Sequence, residues 1–466
     1  MDARLRFDFS GFSSSRVGEE GLHPDEVASF EGRALQELAR LADERRAGTH
    51  PYLDLPYQDA SVDEVLAIAE GVRARFRNFV LLGIGGSALG SRMLHTALRG
   101  PNWNLATPKG HPRLFVLDNV DPEHLAEILD LCDPRETFFD VVSKSGGTAE
   151  TIAQFLLVRD LLERSVGPRH AEHLVVTTDP ASGPLRAIAV REGYRTLPAP
   201  PGVGGRFSVF SPVGLLSAAA TGIDVRACLR GAAAMDARCK VESLERNPAL
   251  FHASLHYLLL TKRAKTIFVQ YVYAERLKDL GEWTRQLIGE SVGKPASGGF
   301  AGATPVVSIG VTDQHSQQQL YVEGPKDKAF TMIGAERFAR DLPIPPRWGD
   351  LAEFAYLGGK TFAQLFEAER AGTEFALLEA RRPTCRITFP SVSPEAIGEY
   401  VHLMEVAVVL LCRFLGVDPF NQPGVESAKD ATRALLGREG TEKRRAEIEA
   451  LAKRESPWRL GGPSGR

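Results

Sequence analysis

From Phe79 onward the chain repeats short apolar runs with few polar breaks. They are "FVLLGIG" (Phe79 to Gly85), "RLFVLDNV" (Arg113 to Val120), "TFFDVVS" (Thr137 to Ser143) and "HLVVTT" (His173 to Thr178). Runs that do not alternate with polar residues predict strands buried on both faces. Helix-length text separates them. Thr148 to Glu163, for example, lines up Ile152, Phe155, Leu156 and Val158 toward one side. Buried strands alternating with helices predict an α/β fold whose parallel sheet is covered on both faces. The Ala-rich "GLLSAAATGIDVRACLRGAAAMDARC" predicts a helical connection. The alternation then resumes with strand "KTIFVQYVY", a helix from Leu277 to Ile288, strand "TPVVSIGV", a helix over Ser316 to Tyr321, and strand "TCRITF". A long helix follows. Ser393 is its expected N-cap, Pro394 its first residue and Gly416 its stop, with Glu395 suited to the positive end of the dipole.

The expected organisation has four parts: an N-terminal arm over 1–61 with one helix from Asp25 to Glu44, α/β units over 62–225 and 226–420, and a helical tail over 421–466. The tail holds a helix from Val425 to Leu436, stopped by Gly437, and a charged, solvated helix after it.

Composition narrows the function classes. The chain has 466 residues, 43% hydrophobic and 25% charged, with a formal net charge of −3. That balance argues for a globular protein and against nucleic acid or an anionic membrane as partner. The apolar "VAVVLLCRFLGV" is too short to span a bilayer and contains Arg413. Five scattered cysteines without a C-x-x-C suggest neither a disulfide framework nor a zinc cluster, and fit a reducing cytoplasm. "MDARLRFDFSGF" carries acids early and lacks the apolar core of a secretory signal.

Two strand-to-helix turns are rich in glycine: "GIGGSALG" (Gly83 to Gly90) and "SKSGGT" (Ser143 to Thr148). Such turns expose backbone N–H groups to an anion, and the helix dipole favours the same charge. Ser145 and Thr148 add hydroxyl donors, and Lys144 adds a full charge. Neither turn has Walker A spacing. Gly83, Gly85 and Ala88 satisfy G-x-G-x-x-A, but Asp118, the candidate ribose-binding acid, lies about thirty residues beyond Ala88 instead of about twenty. A single turn of this kind has an ordinary reading as a tight connection. Two together, one carrying Lys and hydroxyls, point to a phosphate ester.

Four further stretches carry candidate chemistry. "GVGGRFSVFSPVG" places Arg206 after glycines, where a backbone can approach a ligand closely. "LIGESVGK" places Glu290 on a loop just past the expected helix end, where it can serve as a general base. "TDQHSQQQL" places His315 at an expected helix start, and "FNQPGVESAKDATRALL" sets Glu426 and Lys429 on one helix face. Taken singly, each has a plainer reading as a surface residue or surface ion pair. His252 and His256 have metal-ligand spacing, but lacking a third ligand they read as ordinary helix residues.

Taken together and in this chain order, "GIGGS", "SKSGGTAET", "GVGGRFSVFSPVG", "LIGESVGK" and "FNQPGVESAK" resemble the glucose-6-phosphate isomerase family, over about residues 79–433. The resemblance implies two SIS-type α/β domains with doubly wound parallel sheets. It also implies a homodimer with shared active sites and no metal or organic cofactor. The implied substrate is a hexose 6-phosphate. By the same resemblance, Gly86, Ser87, Ser143, Lys144, Ser145 and Thr148 form the sugar-phosphate clamp, Arg206 stabilises an enediolate, and Glu290 moves a proton between C2 and C1. His315, from the neighbouring subunit, and Lys429 assist ring opening, and Gln422 contacts substrate. Three alternatives are an isomerase of a mannose or heptose ester, a non-catalytic SIS regulator that binds phosphosugars, and a nicotinamide-dependent oxidoreductase.

Overall fold

The computed structural model describes residues 4–297, 299–454 and 458. Residues up to Pro419 make one compact unit, and residues from Phe420 onward make another. The strands in the first part of the chain are β1 (Arg6–Asp8), β2 (Asn78–Leu82), β3 (Arg113–Leu117), β4 (Thr137–Ser143), β5 (Leu174–Thr178) and β6 (Arg195–Pro198). Five of them form a parallel sheet in the order β3-β2-β4-β5-β6. Every residue of β2, β4 and β5 is buried, which accounts for their uninterrupted apolar text. Val80, Leu82, Phe139, Val141 and Val176 pack with Phe155, Val158 and Leu162 of helix Ala149–Val166. The expected inward face of that helix needs one correction: Leu156 is 58% exposed. The buried stripe runs instead through Thr151, Gln154, Phe155, Val158 and Leu162, the three- and four-residue steps of a helix face.

The second sheet uses β7 (Ile267–Tyr273), β10 (Thr304–Ile309), β11 (Lys328–Arg337) and β12 (Thr384–Ser391), while β8 (Lys294–Ala296) and β9 (Gly299–Ala301) pair as a short antiparallel ribbon. Its order is β1-β12-β11-β7-β10. The strands are parallel except for β1, which runs antiparallel along β12 with Phe7 opposite Ile387. Each sheet winds both ways from its first parallel strand: β2 lies between β3 and β4, and β7 between β10 and β11. Two strands of the second sheet were not expected. β1, ahead of the helix of the N-terminal arm, closes an edge of that sheet. β11 was not expected, since Lys328 opens it and Thr331 and Gly334 interrupt its apolar residues, although its first eight residues are all buried.

The Ala-rich connection is two helices, Pro212–Ala220 and Val225–Cys239. The second crosses the almost wholly buried helix Pro394–Leu415, whose N-cap Ser393 Oγ accepts from Ala396 N–H at 3.2 Å and whose stop, Gly416, has φ +71. Cβ atoms at Gly231 and Gly398 would lie 1.9 Å from the carbonyl oxygens of Glu395 and Cys228, so the two glycines allow this crossing. In the second unit a turn, Pro423–Val425, leads to helices Glu426–Leu435 and Glu442–Ala452. Among the described residues no helix is long and apolar enough to cross a membrane.

Candidate active site

β2 and β4 are parallel neighbours with Leu82 beside Val141, so their carboxyl ends emerge together. Open α/β sheets bind ligands at such ends. After β2 the chain makes a 3-10 turn, Gly85–Ser87, before helix Leu89–Arg99. A Cβ on Gly86 would lie 2.3 Å from Gly205 C and 2.6 Å from Arg206 N, so glycine is needed for this turn to touch the Arg206 turn. After β4, Gly146 takes φ +64, Ser143 Oγ and Thr148 Oγ1 share a hydrogen bond of 3.0 Å, and Ser145 Oγ accepts from Gly147 N–H at 3.3 Å. Thr148 is the N-cap residue of helix Ala149–Val166. Lys144 Nζ donates to Val203 O at 2.7 Å. Burial pushes the Lys144 ammonium pKa below its usual value, with Asp179 opposing. Both turns therefore contact one segment, Val203 to Arg206.

Arg206 is 2% exposed. Its Nε donates to Ser291 Oγ at 2.9 Å, its Nη1 to Glu290 Oε2 at 3.1 Å, and its Nη2 to the Pro419 carbonyl. Burial lowers its pKa, and the Glu290 carboxylate is the largest opposing influence. The other Glu290 oxygen accepts from Gln286 Nε2 at 3.0 Å. The carboxylate is thus oriented from two sides while its side chain stays 33% exposed. A fixed carboxylate beside a buried guanidinium can relay a proton next to a developing oxyanion. One expectation is corrected here. Glu290 is not on a loop but in the last turn of helix Lys278–Val292, which runs through Gly289 and stops at Gly293.

The structure brings Gly86, Ser87, Ser143, Lys144, Ser145, Thr148, Arg206 and Glu290 onto these adjoining turns and the helix end. His315 is exposed at the end of the 3-10 turn Thr312–His315, not at a helix start, and among the described residues no hydrogen bond or ion pair joins it to Arg206 or Glu290. Gln422 and Lys429 belong to the second unit, where Lys429 Nζ donates to Glu426 Oε1 at 2.7 Å on an exposed helix face. Asp118 accepts from Arg92 at 2.6 Å. His252 and His256 are buried, with His256 Nδ1 2.9 Å from the His252 carbonyl, and among the described residues no group of three ligating side chains could hold a metal. Sequence reading missed Gln286 and Ser291. The signal for Gln286 was its place one helical turn before Glu290.

Comparison with known proteins agrees with this geometry. Residues 69–335 match the family described as phosphoglucose isomerase. The glucose-6-phosphate isomerase of Carboxydothermus hydrogenoformans is 44% identical over 451 residues, covering 95% of this chain and 97% of the relative. A glucose-6-phosphate isomerase of Thermus thermophilus is 39% identical over 415 residues, covering 88% of this chain and 97% of the relative. Among solved structures, a hypothetical protein from Thermus thermophilus superposes with a TM-score of 0.83 at 37% identity, covering 93% of this chain and all of that one. A glucose-6-phosphate isomerase from Chlamydia trachomatis gives a TM-score of 0.79 at 19% identity, covering 97% and 92%, and shares the fold of two doubly wound sheets. Matched over more than half its length by the family and over nearly all of it by such relatives, the chain belongs to the phosphoglucose isomerase family.

Proposed function

We propose that this chain is an aldose–ketose isomerase that interconverts D-glucose 6-phosphate and D-fructose 6-phosphate through ring opening and a cis-enediol. The observation that carries the reading is Glu290, held between Arg206 and Gln286 beside two glycine-rich turns. The turns supply N–H groups, the Lys144 ammonium and the hydroxyls of Ser143, Ser145 and Thr148 to the phosphate. That end of the sugar does not react, so its binding energy fixes the reacting carbons.

In the open-chain aldose, Glu290 takes the C2 proton and the electron pair moves into a C1–C2 double bond. The C1 oxygen gains negative charge, which Arg206 stabilises. Glu290 then returns the proton to C1, and the proton leaving the O2 hydroxyl ends on the C1 oxygen as C2 becomes the ketone. The net change is a hydrogen shift with no external oxidant or reductant, so the chemistry calls for no organic cofactor or metal. A positioned base contributes roughly 10²–10⁴-fold to such a step.

His315 and Lys429 are assigned to ring opening and Gln422 to substrate contact. The exposure of His315 on its own subunit supports a homodimer in which it serves the neighbouring site. Five buried free cysteines support work in the cytoplasm. The division at 61, 225 and 420 remains our proposal for the domains, with SIS-type units around each parallel sheet.

The test is direct. Fructose 6-phosphate is incubated with the purified chain, and products are followed by carbon NMR, with mannose and heptose phosphates in parallel. Equilibration with glucose 6-phosphate is expected. Turnover confined to another ester favours the alternative substrate, and inertness toward all of them favours a regulator.

A further inference from the structure

We propose that Lys294 is a positioning residue of this site, a second buried cation that holds the Arg206–Glu290 pair in working order. The proposal rests on the isomerase reading and adds a group that no motif role covers.

Lys294 opens β8, just past the end of the helix that carries Glu290. It is 8% exposed, and lysine is rarely buried without compensation. Its Nζ donates to the carbonyl of Asp418, while Arg206 Nη2 donates to the carbonyl of Pro419. Two cations from separate elements thus grip consecutive carbonyl oxygens of one turn. The acceptors are neutral peptide groups, so the charge on each cation remains available to its surroundings.

The ionisable groups that act most on Lys294 are Cys412 of helix Pro394–Leu415, Arg206 of the turn Gly205–Phe207, Asp418 of the gripped turn, and Glu290 of helix Lys278–Val292. Burial and Arg206 lower the Lys294 pKa, whereas Cys412, Asp418 and Glu290 raise it. Lys294 therefore fixes the stretch of chain that anchors the far side of the Arg206 guanidinium, and through it the guanidinium's hold on Glu290.

Charge and hydrogen bond separate by substitution. Lys294→Met removes both, and Lys294→Gln keeps a donor for the Asp418 carbonyl without the charge. Steady-state kcat and KM on fructose 6-phosphate are the readout, with inorganic phosphate inhibition and circular dichroism alongside. Lys294→Met should lose about tenfold or more in kcat, with KM and phosphate inhibition within about threefold of wild type. Lys294→Gln should regain part of kcat. A folded Lys294→Met protein with wild-type kcat overturns the proposal, as does a loss of phosphate affinity matching the loss of kcat. If Lys294→Met does not fold, Lys294→Gln and Lys294→Arg decide. A kcat lower in the Gln than in the Arg variant at unchanged KM supports the role, and equal kcat in the two overturns it. An inactive wild type counts against the isomerase reading, whereas an active wild type with unchanged variants counts only against Lys294.

Discussion

Replacing Gly86 by alanine adds one methyl where two turns touch backbone to backbone. The new Cβ would stand 2.3 Å from Gly205 C, 2.6 Å from Arg206 N and 2.7 Å from Gly205 Cα, whereas ordinary contact begins at 3.4 Å. The turns must part by about 1 Å, and no flexible side chain is present to absorb it. Arg206 rides on that backbone, so its 3.1 Å bond to Glu290 is strained or lost. A displacement of about 1 Å at a catalytic group costs roughly 10²-fold, or about 2.7 kcal/mol of barrier. Overpacking should also remove about 1–3 kcal/mol of stability. The assay is steady-state isomerisation of fructose 6-phosphate at a temperature where circular dichroism shows the variant folded. A roughly hundredfold fall in kcat is expected. A folded Gly86→Ala protein with wild-type kcat would refute the claim that contact between the turns positions Arg206.

Two further outcomes concern the phosphate end and the core. Lys144→Ala combined with Ser145→Ala should weaken fructose 6-phosphate and inorganic phosphate alike, by roughly tenfold or more, because it removes an ammonium and a hydroxyl from one turn; competition assays read both, and unchanged affinities reject the clamp. Asp140 is fully buried in β4, where loss of solvent raises its pKa from 3.8 to about 7 despite a hydrogen bond from Thr177. The folded state then holds a proton that the unfolded state releases, so stability from this group falls as pH rises from about 4 to about 7. The accumulated cost is on the order of 4 kcal/mol. Asp140→Asn should therefore gain stability over wild type at pH 8 and little at pH 4 in denaturant melts, and a pH-independent difference contradicts the burial argument.

Legibility in the sequence followed how local each determinant is. β2, β4 and β5 could be read because both faces are buried and nothing polar interrupts them for long. Ser393, Pro394 and Gly416 marked the long helix at both ends because capping is decided within a few residues. Where the signal was ambiguous, reading failed. Gly289 looked like a helix stop, yet it keeps helical geometry and Gly293 caps the helix instead, so the loop assigned to Glu290 was wrong while the residue itself was recognisable from its motif. β1 is three residues long and exists only because β12 offers an edge; β11 begins with a lysine whose burial depends on Asp327 beside it. The grip of Arg206 and Lys294 on the 418–419 turn joins residues more than a hundred positions apart, which no spacing rule in one sequence reveals.

The central claim is that the Glu290 carboxylate carries hydrogen between adjacent carbons of a phosphate-anchored sugar. The most direct measurement is deuterium uptake from heavy water at C1 and C2 of the hexose phosphates, followed by proton NMR with wild type and Glu290→Gln. The account predicts uptake with wild type, and loss of both uptake and turnover by at least about a hundredfold in the variant, with inorganic phosphate still bound. Uptake by Glu290→Gln at the wild-type rate would contradict it.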